Sequence, residues 1–321
     1  MPKNLSEGDN HSDIWTDRQL PEGDEIFIDH LAHFVPDMAV AEKAMSDLGF
    51  VLSPFTPQTN AAGPNKPPIM VGLANRCALL ERGYIEILTP YGKAETPLAE
   101  QLIAALKRYI GIHLLAFSCA DTQAQTARLA DEGFEPQPPV SLQRETDTET
   151  GTGLLRFSVL RIKPGLMPEG RIQFLRHQTP ELLWQDRWMA HPNGAQALTD
   201  VLLCVENLKE VAARFGRFTG ITPSRGPIQL TTARGRLTII NISDAERLVP
   251  SLPKITGPFF AAYAIRTSSL EQARSHVTAH GLSPHEHDKN TGSFWVAGPS
   301  GLGGAILFTQ GSRYCPWWPE D

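Results

Sequence analysis

One β-α-β pattern recurs four times along this 321-residue chain, which restricts the fold to copies of a single unit packed on one another. The first copy opens at Phe27-Ile28-Asp29-His30-Leu31-Ala32-His33-Phe34-Val35-Pro36-Asp37, the second at Gly111-Ile112-His113-Leu114-Leu115-Ala116-Phe117-Ser118-Cys119-Ala120-Asp121. The third begins at Leu198 and runs to Asn207, the fourth at Phe259 and runs to Ser268. In each, a β-rich run leads to a short polar residue suited to cap a helix. Aligning Asp37, Asp121, Asn207 and Ser268 gives spacings of roughly 84, 86 and 61 residues. His30 and His113 stand at matching places in the first two copies, so the repeat aims both at one shared cavity, as paired metal ligands would be aimed.

Within the first copy the reading is β-α-β-β-β. Glu25 to Val35 forms a strand, and Asp37 caps a helix that buries Met38, Ala41, Met45 and Leu48 and stops at Gly49. The Pro- and Asn-rich stretch from Pro54 to Pro68 reads as a loop. Ala74 to Glu81 and Tyr84 to Leu88 form strands joined by the turn Arg82-Gly83. A linking helix over Pro97 to Tyr109 leads to the second copy. There a helix spans Asp121 to Glu132, a strand lies near Val140 to Arg144, a loop covers Glu145 to Gly153, and a hairpin through Pro164-Gly165 closes the unit. The expected division is a flexible tail (1–24), a metal-binding domain (25–180), a connector (181–197), a second domain (198–311) and an aromatic tail (312–321). The fold class is α+β, four β-α-β-β-β modules paired into two domains. A doubly wound parallel sheet would need helices between all strands, which the hairpins exclude.

The last strand of each early module carries a polar residue among apolar ones: Glu86 in Tyr84-Ile85-Glu86-Ile87-Leu88 and Gln173 in Arg171-Ile172-Gln173-Phe174-Leu175. A carboxylate so placed either faces solvent or faces a cavity where it needs a partner. If the two modules pack as a pseudo-symmetric pair, His30, Glu86, His113 and Gln173 converge. Two imidazoles and a carboxylate then form a divalent-metal site, with Gln173 as a weak fourth ligand or a hydrogen bonder to the others.

With these residues the chain resembles the vicinal oxygen chelate (VOC) superfamily of glyoxalase I, extradiol dioxygenases and bleomycin-resistance proteins, and in particular its two-domain glyoxalase-like members. The resemblance runs from about residue 25 to 311. It rests on Asp29-His30-Leu31, Ala74-Asn75-Arg76, Tyr84-Ile85-Glu86-Ile87, Thr179-Pro180-Glu181-Leu182-Leu183-Trp184 and His191-Pro192-Asn193. It implies metal ligands at His30, Glu86, His113 and Gln173, with Glu86 and Gln173 as the catalytic pair. The implied cofactor is a divalent ion (Fe, Mn, Zn or Ni), and the substrate a small molecule that chelates through adjacent oxygens. The implied chemistry is lyase or isomerase, or ring-cleaving oxygenation. The competing class is a ligand-sequestering protein of the bleomycin-resistance type.

Departures from the family are visible. Where glyoxalase I has a glutamate serving as a base, this chain has Gln173, and a neutral amide cannot abstract a proton. Dioxygenases of similar length keep their metal in the later pair of modules rather than the earlier. In the second half Asp200 stands in place of His30, Ala261 of His113, Thr238 of Glu86 and Ile306 of Gln173, so that half is expected to be structural.

The remaining candidates have plainer readings. His33 is a packed or surface histidine, and His177 and His191 order the connector. His276, His280, His285 and His287 lie on a surface, and the glycines from Gly298 to Gly304 make a turn without the Lys-Ser/Thr of a phosphate loop. Arg76 and Arg156 either anchor an anionic substrate or lie on solvated strand faces. Four cysteines without CxxC spacing, two of them (Cys119 and Cys204) within apolar strands, fit a reducing compartment, and a cytoplasmic location is expected. A net charge of −6 offers no footprint for nucleic acid or anionic membrane. No apolar run reaches the roughly 20 residues that cross a bilayer. A homodimer is expected, two-fold assemblies being the commonest.

Overall fold

The computed structural model describes residues 16–60, 69–93, 95–310 and 316–318. The first module comprises β1 (Ile26–Phe34), α1 (Met38–Asp47), β2 (Thr56–Asn60), β3 (Ile69–Leu79) and β4 (Tyr84–Pro90). Helix α2 (Pro97–Leu106) links it to β5 (Gly111–Cys119), α3 (Thr122–Asp131), β6 (Val140–Thr148), β7 (Gly151–Arg161) and β8 (Arg171–His177). The connector holds α4 (Pro180–Leu183) and a 3-10 turn, Asp186–Trp188. Then come β9 (Ala195–Val205), α5 (Leu208–Thr219), β10 (Ile228–Thr231), β11 (Arg236–Asn241) and α6 (Ile242–Leu248). The last module is β12 (Phe259–Thr267), α7 (Leu270–Ala279), β13 (Pro284–Glu286), β14 (Phe294–Val296) and β15 (Ala305–Thr309).

This is the α+β arrangement of repeated modules expected of a VOC fold. In the first module β4 lies parallel to β1, β3 antiparallel to β4, and β2 at the edge; the second repeats the order as β5, β8, β7, β6. Strands β1 and β5 run antiparallel side by side and join the two modules. The same pairing of β9 with β12 builds the second half. The third module has one strand fewer among the described residues, since Pro223 and Pro227 interrupt the segment where the extra strand would lie. The helices start where the caps indicated: Asp37 accepts from the amides of Ala39 and Val40, and Asp121 from those of Gln123 and Ala124. In the fourth module the cap is Ser269, one residue beyond the expected Ser268.

Two segments differ from the sequence reading. Residues 145–153, expected as a loop, belong to a long hairpin in which β6 pairs with β7 from Val140↔Val159 to Thr148↔Gly151. Its alternation of exposed and half-buried residues reads as polar in sequence because one face meets water. Within the expected loop 54–68, residues 56–60 form β2 on the edge of β3; residues 61–68 lie outside the described residues. Of the expected flexible tail, residues 1–15 also lie outside them. Residues 16–24 make specific bonds: Arg18 donates to Glu25 at 2.6 Å, and Arg234 donates to the carbonyls of Arg18 and Gln19.

A single apolar cluster runs through both halves. Phe117, Phe134 and Phe174 of the second module pack on Phe218 of α5, and Phe50 of the first stacks near Phe308 of β15. The cleft of the second half is filled. Leu202, Ala262, Ala264 and Leu307 pack with Ile242 and Ala245 of α6 and with the fully buried Trp317, which stacks on Trp295 at 5.7 Å. Of the expected aromatic tail, 316–318 are described, and Trp317 closes that cleft. The corresponding cleft of the first half is open.

Candidate functional site

Two extra residues in the β1–β5 pairing decide which side chains enter the first cleft. His30 faces Ala116 and Ala32 faces Leu114, with register shifts on either side that leave Asp29 and His113 as bulge residues. The 84-residue offset between the caps Asp37 and Asp121 therefore takes His30 to Leu114, and takes Asp29 to His113. His113 is the counterpart of Asp29.

His30, Glu86 and Gln173 line one cavity, together with Asn75, Tyr84, Arg144, Arg161, Arg171, Leu114 and His177. His113 does not. Its ring stacks on Tyr109 at 3.8 Å and tilts against Phe34, and its Nε2 bonds the Tyr109 carbonyl at 2.9 Å. Burial pushes its pKa down to about 4, so it sits there neutral. The expected convergence of four residues is thus one of three, with Leu114 where a second histidine was expected. In the second half the register places Leu307, rather than Ile306, at the Gln173 position. Asp200, at the His30 position, is locked to Arg236 at 2.6 Å.

Each remaining member is held from behind. His30 Nδ1 donates to Asp29 Oδ1 at 2.7 Å, which in the neutral ring leaves the lone pair on Nε2, 3.8 Å from Glu86 Oε2. Tyr84 stacks flat on the His30 ring, with centroids 4.2 Å apart. The other Glu86 oxygen accepts from Asn75 at 2.5 Å and Gln58 at 3.3 Å, and Arg144 in turn donates to Asn75 at 3.1 Å. Gln173 Oε1 is buried with no hydrogen-bond partner among the described residues. Burial works to raise the Asp29 carboxyl, but the imidazoles of His177 and His30 outweigh it and hold the group well below the usual carboxylate range. Cys77 also lines the cavity; burial, reinforced by Glu86, pushes its thiol up to about 12, which rules it out as a ready nucleophile.

His177 was read as a connector histidine and is a site residue. It ends β8, and its Nε2 donates to Asp29 Oδ2 at 3.0 Å while its ring meets Trp184 edge-on. Its spacing carried the signal, since it lies four residues beyond Gln173 and on the same strand face. His191 behaves as expected, accepting from the Val51 amide and donating to the Leu79 carbonyl. His33, at zero exposure, bonds Leu302 and Tyr263. Neither Arg76 nor Arg156 reaches the cavity: Arg76 bonds Ser53 and Glu42, and Arg156 is exposed. The arginines that reach it are Arg144, Arg161 and Arg171.

A family described as glyoxalase-like domain matches residues 28–219, which is more than half of the chain. The chain belongs to the glyoxalase-like domain family. No curated protein matches it in sequence. A hypothetical protein from Staphylococcus aureus superimposes with a TM-score of 0.55 at 12% identity, over 88% of this chain and 98% of that one. A mutant of 4-hydroxymandelate synthase from Streptomyces coelicolor superimposes at 0.56 and 14% identity, over 91% and 94%. A xylose isomerase-like TIM barrel/4-hydroxyphenylpyruvate dioxygenase fusion protein gives 0.54 at 11% identity, over 93% of this chain and 51% of that one. At these identities the likeness is one of fold, and the fold is that of the VOC superfamily.

Among the described residues, no three His, Cys, Asp or Glu side chains are grouped to hold a metal ion. With Gln173 counted, three oxygen and nitrogen donors from three strands border the same space. An orphaned amide oxygen beside a carboxylate and a histidine lone pair fits a divalent cation. No described helix is long and apolar enough to cross a membrane.

Proposed function

We propose that this glyoxalase-like protein is a metal-dependent enzyme of the VOC superfamily, acting on a small oxygen-rich molecule in the first-half cavity. The reaction is either of lyase/isomerase type or an oxygenation. The observation that carries the reading is Gln173 Oε1, buried without a partner among the described residues in the cavity lined by His30 and Glu86. A buried carbonyl oxygen left unpaired costs about 1–3 kcal/mol, which a bound cation would recover. His30 Nε2, Glu86 Oε2 and Gln173 Oε1 would hold the ion. When bound, the ion supplies Lewis acidity toward substrate oxygens.

The chain's own groups have definite parts in this scheme. Asp29 fixes the His30 tautomer so that Nε2 points its lone pair inward. Asn75 and Gln58 orient Glu86 through Oε1, leaving Oε2 facing His30. The cavity measures about 90 Å³, room for about six water-sized groups. Its apolar walls, Leu98, Leu114, Val159 and Leu175, strengthen every charge interaction inside.

The second reading, ligand binding without turnover, is favoured by Leu114, which removes one ligand position from the set the superfamily resemblance implies. The two are separated by loading purified protein with Fe²⁺ or Mn²⁺ and presenting 2-oxo acids and catechols, with dioxygen consumption and product formation followed. Metal-dependent turnover that His30→Ala abolishes supports the enzyme. Saturable ligand binding with no turnover under any metal contradicts it.

A further inference from the structure

The cavity holds more positive charge than its own carboxylate can balance. Among the described residues, Arg144, Arg161 and Arg171 line it, against Glu86 alone of the acidic side chains. Arg144 is engaged with Asn75. Arg161 and Arg171 flank Gln173: Arg161 is its partner across the β7–β8 ladder, and Arg171 precedes it by two residues on the same strand face. Arg171 is fixed in place, with Nε donating to Gln101 at 2.8 Å, Nη2 to the Leu98 carbonyl at 3.1 Å and its guanidinium over the Phe34 ring. Arg161 Nε is buried with no hydrogen-bond partner among the described residues. Buried guanidinium groups without a counter-charge are costly unless something supplies one. Paired forks on one sheet face match a carboxylate, which accepts two parallel N–H bonds from each.

We infer that Arg161 and Arg171 form an anion subsite for the carboxylate of a small organic acid, beside the His30–Glu86–Gln173 end of the same cavity. The inference rests on the reading of this cavity as the substrate site, and deepens it by naming the substrate class. The polar face of β7 and β8 takes the carboxylate, and the remaining oxygens of the acid reach toward His30 and Glu86.

The test uses pyruvate, whose six heavy atoms suit the cavity volume, and its neutral amide pyruvamide. Both are titrated calorimetrically into the metal-free full-length chain at fixed ionic strength. Pyruvate is expected to bind saturably and pyruvamide at least about tenfold more weakly, which is about 1.4 kcal/mol. Arg161→Gln should weaken pyruvate at least about tenfold and leave pyruvamide unchanged. Arg161→Lys should fall between, and Arg171→Lys should lose several-fold. Arg156→Gln, at an exposed position outside the cavity, should stay within about twofold of wild type. Equal binding of the two probes, no binding of either, or wild-type affinity in Arg161→Gln each overturns the inference. If Arg161→Gln binds normally while His30→Ala abolishes turnover, the subsite falls and the enzyme reading stands. If the arginine variants behave as expected but no metal supports turnover, the subsite stands and the enzyme reading falls.

Discussion

A single bulge residue determines that β5 sends Leu114, and not His113, into the cavity. A strand alternates faces with period two, so one inserted residue exchanges the sides on which its neighbours point. His113 consequently has a structural role, and this gives a pH prediction. Its pKa and that of His33 are lowered by burial to about 4, while histidines of the unfolded chain protonate near 6.5. The lowered folded value means that this stability is fully present above pH 6.5 and is lost as pH falls toward 4, on the order of 1–3 kcal/mol for each ring. His113→Phe, which preserves the stack between Tyr109 and Phe34, should flatten part of that slope in urea denaturation compared at pH 7 and pH 5. An unchanged slope would place the titration elsewhere. At the cavity itself, Gln173→Glu converts the unpartnered oxygen into a second carboxylate. It should tighten Mn²⁺ binding at least about tenfold in a fluorescence or calorimetric titration; an unchanged affinity would remove Gln173 from the ligand set.

At the scale of elements, each bulge is matched by a glycine opening the adjacent strand. A Cβ on Gly83 would come within 2.8 Å of the Asp29 carbonyl oxygen, and one on Gly170 would strike that of His113. Gly83 also has φ +76, a conformation that side chains disfavour. Gly83→Ala should therefore destabilise the protein by about 1–3 kcal/mol and, by pushing Asp29 away from His30, weaken metal binding several-fold. A thermal melt together with the same Mn²⁺ titration checks both effects. These devices also explain how much the sequence disclosed. The repeat, the helix caps Asp37 and Asp121, and the equivalence of Glu86 with Gln173 were legible because they follow local periodicity. The face taken by His113 needed the 84-residue offset between those caps, which pairs His30 with Leu114; treating the two histidines as equivalent hides it. Arg161 was missed for another reason, since its importance comes from cross-strand register with Gln173, whereas Arg171 and His177 share the strand face of Gln173 at spacings of two and four.

Across the whole molecule, the two halves differ in use rather than in plan. The second has its cleft closed by α6 and Trp317, while its α5 supplies Phe218 to the core beneath the first. The fifteen strands among the described residues form one sheet, and the main apolar cluster crosses from half to half. Urea unfolding should accordingly give one cooperative transition, with fluorescence and circular dichroism coinciding. A fragment ending at residue 197 should not fold alone, and two separated transitions would contradict the shared core. The claim on which the functional account turns is that His30, Glu86 and Gln173 form the working centre while His113 stands outside it. Calorimetric titration of Mn²⁺ into wild type, His30→Ala, Glu86→Ala and His113→Ala tests it most directly. The account predicts binding in wild type, loss of most affinity in the first two variants, and near-wild-type affinity in His113→Ala. Equal losses in His30→Ala and His113→Ala, or no binding in wild type, would contradict it.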